Sequence, residues 1–233
     1  MRSLKDITVQ KIARKITHTV YMSLRDPFMI HDGLHPKGTY VHSASGHNWE
    51  SGSLPSVIRL PNLSTYYHPV LRGFWEFYGL GDRCLLVSES IKVKEVVNDL
   101  YPSVAFVTTD YFTELQPGQP DVAWDVCFPA PQVLAEDSFS SIISNALMEH
   151  LLDATSAFAN MLALLRPGGY LFALTHTPSF PLHRYPRDYV RFHHDYFEDL
   201  PQYLADRYSL SVQLKELWSR RGQVIVCYQR MNG

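Results

Sequence analysis

The sequence lacks the features that mark several large classes of protein. No hydrophobic run approaches the ~18 apolar residues that a membrane span needs, and the N-terminal MRSLKDITVQKIARK has no apolar core typical of a secretory signal. The three cysteines are widely spaced and form no CxxC pair, so neither a disulfide framework nor a zinc knuckle is indicated. A formal net charge of -2 gives no electrostatic case for nucleic acid. We therefore expect a cytoplasmic protein without a membrane span or a nucleic-acid partner.

Glycine is scarce where nucleotide-binding proteins need it. The first predicted strand, Arg83 to Val87, is followed by Ser88-Glu89-Ser90-Ile91-Lys92, and neither GxGxxG nor GxxxxGK[ST] occurs in the chain. A cofactor without phosphates does not need a glycine-rich cradle. A serine-lined turn still offers N–H and hydroxyl groups to a carboxylate and an amine. This loop points away from NAD and ATP and toward S-adenosylmethionine.

Metal ligands are present in one irregular stretch, but without a recognised spacing. The region from 25 to 56 contains His31, Asp32, His35, His42 and His47 among Gly, Pro and Ser. These spacings match no zinc template, and no pair lies at i, i+4 on a convincing helix. We interpret the region as a flap or surface loop and predict no metal site.

The 233 residues suffice for one sizeable α/β core. In 139–169 the apolar run FSSIIS is followed by a polar elbow at 145–150, and Asp153 is a plausible N-cap for the next helix. Apolar side chains at i, i+3, i+4 and i+7 line one face of that helix, which ends at Pro167-Gly168-Gly169: Phe158, Met161, Leu162 and Leu165. The pattern predicts a β-α-β unit.

The remaining elements repeat this alternation. Strands are predicted at 83–87, 104–108, 122–127, 139–144, 170–174, 210–218 and 223–228, and further helices at 60–78, 91–100 and 194–208. The order indicates a Rossmann-like, doubly wound, mostly parallel sheet with helices on both faces and a C-terminal antiparallel hairpin. We assign 1–59 to an N-terminal helix and irregular flap, and 60–233 to the main domain with a proline-rich insertion at 176–193. The N-terminal helix packs on the domain or mediates homo-oligomerisation.

In open α/β sheets the ligand crevice lies beyond the carboxyl ends of the strands. Asp110 ends the second main-domain strand, where an acid accepts hydrogen bonds from ribose hydroxyls, although a turn or cap role fits the residue type too. Asp125, after the third strand, is placed to accept from an adenine amino group or to cap its own loop, with Val126 or Phe128 covering the ring. Asn145 and the rest of the elbow follow the fourth strand.

Four segments together resemble class I S-adenosylmethionine-dependent methyltransferases of the "methyltransferase type 11" kind, in the branch associated with glycan assembly. They are TTDYF (108–112), DSFSSIISNALMEHLLD (137–153), LLRPGGYLFALT (164–175) and YPRDYVRF (185–192). The resemblance covers roughly 83–192.

The resemblance implies S-adenosyl-L-methionine as the cofactor and assigns residues to it by position. Ser88 lies in the first loop, Asp110 binds the ribose, Tyr111 flanks the adenine, Asp125 and Val126 meet the adenine end, and Asn145 and Ala146 lie beside the methionine moiety. The chain departs from the family pattern at Leu86, where the branch has an acid, and at Ser140-Ser141, where Asp-Leu or Asp-Val is usual. These departures leave open a non-catalytic descendant that serves as a binding or regulatory subunit.

The reaction that this family implies is methylation of a sugar hydroxyl in a glycan or glycan precursor, with a small-molecule O-methyltransferase as an alternative. Such a hydroxyl needs a base near neutrality, and the candidates are His150 and His183 with Asp188. The competing interpretations are a core histidine for His150 and a structural Asp188–Arg191 pair. The residues predicted to bind substrate are His176, Tyr185, Tyr189 and Arg191, the last as a bidentate clamp on a phosphate or carboxylate.

Overall fold

The computed structural model describes residues 40–47, 49, 67–111, 120–183, 187–220 and 222–232. The predicted N-terminal helix, most of the predicted flap and Tyr185 lie outside these residues. The proposed division of the chain near residue 59 also lies outside them and remains a prediction.

The described residues form eight strands, four α-helices and one short 3₁₀ helix at Met148–His150. The strands are β1 (Tyr40–Ser43), β2 (Arg83–Val87), β3 (Ala105–Asp110), β4 (Val122–Ala123), β5 (Phe139–Asn145), β6 (Leu165–His176), β7 (Val212–Arg220) and β8 (Gln223–Arg230). The helices are α1 (Pro69–Tyr78), α2 (Ile91–Leu100), α3 (Ala154–Leu164) and α4 (His194–Tyr208). Within the described ranges, no helix is both long enough and apolar enough to cross a membrane.

All eight strands form one sheet in the order β1-β7-β8-β6-β5-β2-β3-β4. The pairs β2–β3, β3–β4, β2–β5 and β5–β6 are parallel, whereas β6–β8, β7–β8 and β1–β7 are antiparallel. The chain therefore builds outward from β2 in both directions, and β7 and β8 close the sheet as a hairpin. This confirms the predicted Rossmann-like doubly wound sheet.

Alternate side chains of each central strand enter different cores. In β2, Leu85 and Val87 join the cluster beneath α3 and α4, while Cys84 and Leu86 join the cluster beneath α1 and α2. Successive side chains of a strand point to opposite faces of the sheet. Helices cover both faces of this parallel sheet, so both sets of side chains are buried. The predicted apolar face of α3 is buried in the first cluster, and Asp153 caps that helix by accepting a hydrogen bond from the Ser156 N–H at 3.0 Å.

Several sequence predictions differ from the structure. The helix predicted over 60–78 begins at Pro69, and α3 ends at Leu164, so that Leu165 and Pro167-Gly168-Gly169 belong to β6 instead. Residues 40–43, assigned to the irregular flap, form β1 on the sheet edge, where Tyr40 stacks on His194 with ring centroids 4.0 Å apart. The strand predicted at 122–127 ends at Ala123, because the backbone turns at Asp125, whose carbonyl oxygen accepts from the Phe128 N–H at 3.0 Å. Strand β6 begins five residues before the predicted start, because Leu165 already pairs with Phe139 on β5.

Gly81, in the turn before β2, meets both a backbone and a steric requirement. Its φ is +70°, and a Cβ there would lie 2.3 Å from the Ser140 Cβ. Gly46 has almost the same φ, +71°, but open space around it. We expect Gly46→Ala to cost about 1 kcal/mol for the backbone conformation alone. Gly81→Ala should cost at least ~2 kcal/mol more than that, because β5, which carries Ser140, has to shift to make room for the new Cβ.

Urea unfolding of the two variants beside the wild type measures both costs. Equal destabilisation by the two substitutions would show that Ser140 places no steric limit on the side chain at position 81.

Candidate active site

A cavity of about 710 Å³ opens at the carboxyl ends of the parallel strands. It lies where the sheet reverses direction, since β2 pairs with β3 on one side and with β5 on the other. This is the topological switch point at which doubly wound sheets bind ligands, and the volume is within the roughly 300–1,000 Å³ typical of small-molecule sites. The polar residues of its wall that the sequence analysis singled out are Ser88, Asp110, Tyr111, Asp125, Asn145, His150, His183 and Tyr189.

The first loop adopts the backbone shape of a glycine turn without containing glycine. Ser88 directly follows β2 and has a φ of +60°, in the left-handed region that glycine favours. Its N–H donates to the Thr109 carbonyl oxygen at 2.7 Å, and its hydroxyl lies 3.5 Å from the Asp110 Oδ1. The turn thus links the ends of β2 and β3, and Ser90 then caps α2 through its Oγ, which accepts from the Val93 N–H.

Asp110 and Tyr111 occupy the end of β3, as the sequence predicted. Asp110 is buried, whereas the Tyr111 side chain is exposed at the mouth of the cavity. Asp125 lines the cavity while its Oδ1 accepts a hydrogen bond from the Cys127 N–H at 3.0 Å. The capping role that the sequence left open is therefore present, and it does not remove Asp125 from the wall. Val126 supplies buried apolar surface beside it.

The elbow after β5 carries a second left-handed residue without glycine. Ala146 has a φ of +53°, and its N–H donates to the Leu174 carbonyl oxygen on β6 at 2.9 Å. Asn145 and Ala146 both line the cavity. Left-handed non-glycine residues cost about 1–2 kcal/mol each and are common at functional sites. Two of them at the ends of adjacent strands mark this edge of the sheet as specialised.

Glu89 is a part of the site that the sequence analysis did not single out. Its side chain is buried behind the cavity, beside Tyr67, Asp110 and Asn145. Burial raises the pKa of its carboxyl group to about 8, an effect that contacts with Tyr67 and Asn145 oppose and the Asp110 charge reinforces. The sequence feature that could have pointed to Glu89 was the presence of an acidic residue within the glycine-free loop.

The far wall of the cavity holds a histidine cluster, which we define as Glu149, His150, His176 and His183. His150 and His183 reach the cavity, with their Nε2 atoms 3.1 Å apart and their rings perpendicular. The His150 Nδ1 lies 2.9 Å from the Arg187 carbonyl oxygen. The structure thus brings the two predicted catalytic histidines together from segments that are 33 residues apart.

His176 and Glu149 lie behind these two histidines. His176 stacks on Phe180 and places its Nδ1 2.5 Å from the Glu149 Oε1, while the Thr175 hydroxyl donates to the Glu149 Oε2 at 2.7 Å. Burial alone would raise the pKa of the Glu149 carboxyl, but contacts with His176 and Thr175 lower it below its ordinary value. His176 does not line the cavity, so its predicted contact with substrate remains a prediction.

Asp188 and Arg191 pair with each other in the insertion. Both guanidinium NH groups of Arg191 donate to the Asp188 carboxylate, and further donors reach the carbonyl oxygens of Phe180, Pro181 and Val190. The structural pair that the sequence left open is therefore present. Neither residue lines the cavity, and a catalytic Asp188 and a substrate clamp at Arg191 remain predictions. Tyr189 does line the cavity and is exposed, as a substrate contact requires.

The open doubly wound sheet and the polar cavity at its switch point define the class as a Rossmann-like methyltransferase fold. A family profile described as "Methyltransferase domain" matches residues 87–227, which is more than half of the chain. The chain therefore belongs to this methyltransferase family. S-Adenosyl-L-methionine is the cofactor of the family, which confirms the cofactor prediction. No curated protein matches the sequence.

Solved structures with low sequence identity share the fold. The YcgJ protein from Bacillus subtilis has a TM-score of 0.52 at 10% identity, covering 72% of this chain and 100% of its own. An S-adenosylmethionine-dependent methyltransferase from Mesorhizobium loti has a TM-score of 0.49 at 12% identity, with 70% and 96% covered. The 1,6-didemethyltoxoflavin-N1-methyltransferase from Burkholderia thailandensis has a TM-score of 0.48 at 14% identity, with 74% and 82% covered. At 10% identity the YcgJ match shows the fold alone, and the two matches with TM-scores below 0.5 add no evidence.

The raised pKa of Glu89 makes stability depend on pH. The folded-state pKa, about 8, lies above the ordinary 4.5, so the contribution of the protonated carboxyl is fully present below the lower value and lost as pH rises through the upper one. We expect the wild type to lose stability relative to Glu89→Gln between about pH 5 and about pH 9. Chemical unfolding across this range measures the difference, with the exposed Glu95→Gln as the matched control. Parallel pH profiles for wild type and Glu89→Gln would contradict the assignment.

Proposed function

We propose that this protein is an active S-adenosyl-L-methionine-dependent methyltransferase that methylates a hydroxyl group of a glycan or glycan precursor. One observation carries the proposal. A single cavity joins the predicted cofactor residues at the strand ends to the two histidines predicted to serve the acceptor. Methyl donor and acceptor have to meet in one water-poor space for the transfer to occur.

The strand-end wall fits the cofactor. Asp110 offers a buried carboxylate to ribose hydroxyls, and Val126 and Leu151 offer apolar surface to the adenine ring. The left-handed Ser88 gives the loop the backbone shape of a glycine turn despite the missing glycine. This backbone geometry is an argument against the non-catalytic alternative, which the glycine-free loop and Leu86 had motivated.

The histidine cluster fits the acceptor. The bound cofactor supplies an activated methyl group, and the chain has to hold the acceptor oxygen in line and take up its proton. His150 and His183 are the imidazoles that face the cavity, and the Arg187 carbonyl and Asp188 hold their rings in place. These two histidines are therefore the residues we assign to deprotonation of the acceptor.

Exposed aromatic residues at the mouth support a sugar-containing acceptor. Tyr111, Phe128 and Tyr189 line the cavity and are 61%, 64% and 47% exposed. Tyrosine combines an apolar face with a polar tip, which suits ligands of mixed polarity. The branch that the sequence resembles points to the same class of acceptor.

The cofactor assignment is tested by calorimetric titration with S-adenosyl-L-methionine and S-adenosyl-L-homocysteine. We expect micromolar binding that weakens about 10- to 100-fold in Asp110→Ala, because each hydrogen bond to a charged group contributes about 1.5–3 kcal/mol. Asp99→Ala on the exposed face of α2 is the control and should bind like the wild type. If neither compound binds at millimolar concentration, the non-catalytic alternative replaces this proposal.

The acceptor assignment is tested by turnover. With a panel of sugar acceptors and a labelled methyl group, we expect His150→Ala and His183→Ala to lose about 10²- to 10⁴-fold in rate. Cofactor affinity should stay within a factor of about two, since the substituted side chains lie at the other wall. His42→Ala, an exposed histidine on β1, controls for nonspecific effects of losing an imidazole. Full activity in both cavity variants would remove the histidines from the mechanism.

A further inference from the structure

We propose that the histidine cluster binds one divalent transition-metal ion, with Zn²⁺ as the first candidate, through Glu149, His150 and His183. One ligand atom from each residue, the Glu149 Oε1 and two imidazole nitrogens, lies within 4.8 Å of the other two. Two imidazoles and one carboxylate form a donor set that suits first-row divalent ions and leaves coordination positions open.

The Nε2 atoms of the two histidines lie 3.1 Å apart, a distance at which a proton or a cation can be held between them. The His150 Nδ1 lies 2.9 Å from the Arg187 carbonyl oxygen, which can only accept, so that nitrogen carries the proton. The His150 Nε2 therefore carries a lone pair. The His183 Nδ1 lies 3.3 Å from the Asp188 Oδ2 without a hydrogen bond, so in the metal-free protein the His183 Nε2–H can donate to the His150 Nε2 at 3.1 Å. A cation takes the place of that proton when the His183 proton moves to Nδ1, beside the Asp188 carboxylate.

The contacts of the two outer nitrogens are those of metal-bound histidines. Such histidines usually donate their other N–H to a backbone carbonyl or a carboxylate, which fixes the tautomer and orients the ring. The His150 Nδ1 has such a carbonyl partner, and the His183 Nδ1 has the Asp188 carboxylate 3.3 Å away, to which it would donate once the ion is bound. Asp188 is held in turn by the bidentate contact with Arg191 and accepts from the His183 N–H at 2.9 Å. The insertion thus supplies an outer shell for both rings.

Glu149 completes the donor set with a negative charge. Its Oε1 lies 3.8 Å from the His150 Nε2, and its side chain is fully buried. Metal–ligand bonds of about 2.0–2.2 Å place two ligand atoms of one ion roughly 3–4 Å apart, which matches the 3.1 and 3.8 Å distances. Thr175 and His176 hold the carboxylate from behind.

The open side of such an ion would face the cavity, because His150 and His183 both line it. With the ion bound, the two Nε2 atoms would be ligands rather than bases. The ion would then replace them in the proposed reaction by lowering the pKa of a coordinated acceptor hydroxyl, whose proton would leave to solvent. This consequence rests on the proposed methyl transfer, whereas metal binding itself does not.

Zn²⁺ titration of the untagged full chain, after removal of metals with a chelator, tests the proposal. We expect about one tightly bound ion in calorimetry and the visible bands of low-coordinate Co²⁺ when that ion replaces Zn²⁺. His150→Ala and His183→Ala should each weaken binding by about 10- to 100-fold or more, while His42→Ala should bind like the wild type. Thermal unfolding of the metal-free variants verifies that they are folded.

Two results would overturn the proposal: no Zn²⁺ bound by the wild type at about 100 µM, or unchanged affinity in both variants. A proton shared between the two Nε2 atoms would then account for their 3.1 Å approach. Titration of the metal-free protein with S-adenosyl-L-methionine separates the two proposals. Cofactor binding without Zn²⁺ binding removes the metal site alone, and the reverse result removes the methyltransferase assignment alone.

Discussion

The buried Glu149 joins three chain segments, and the far wall of the cavity depends on its contacts. Its carboxylate meets Thr175 and His176 at the end of β6, while its backbone carbonyl oxygen accepts hydrogen bonds from Tyr189 and Val190 in the insertion. A carboxylate without such partners would be costly to bury. The described residues of the insertion, 177–183 and 187–193, form no helix or strand, so their attachment to Glu149 fixes where His183 and Tyr189 stand relative to His150.

The opposite wall depends on a backbone constraint. Ser88 and Ala146 hold left-handed conformations at the ends of the two strands that flank the switch point. Each costs free energy that glycine would save, yet each also keeps a hydrogen bond to a neighbouring strand, Ser88 to Thr109 and Ala146 to Leu174. The chain therefore retains the turn geometry of a ligand-binding loop while replacing its glycines. The absence of the glycine motif is therefore weaker evidence against cofactor binding than the sequence alone suggested.

Periodicity was sufficient for the elements that pack in the core and insufficient for the histidine cluster. The bounds of β2, α2 and α4 agree with the sequence predictions, since alternating or helical burial dictates them. Because parallel strands end at one edge, placing Asp110, Asp125 and Asn145 near one another required only the topology. His150 and His183 meet through an irregular, proline-rich segment with no such repeat, and the four-residue β1 is too short to produce one. Glu89 was missed because burial of a loop carboxyl is a tertiary property.

The two walls of the cavity differ in what they reveal about function. The strand-end wall follows from the fold, so membership of the methyltransferase family bears on the donor side of the reaction. The far wall combines His150, from the elbow after β5, with residues of the insertion that lie outside the strands of the sheet. Under the proposed function, acceptor choice depends on the insertion and the aromatic mouth. We then expect a change in acceptor to require altered side chains at Tyr189 and its neighbours, while Asp188, Arg191 and Glu149 stay in place to support them.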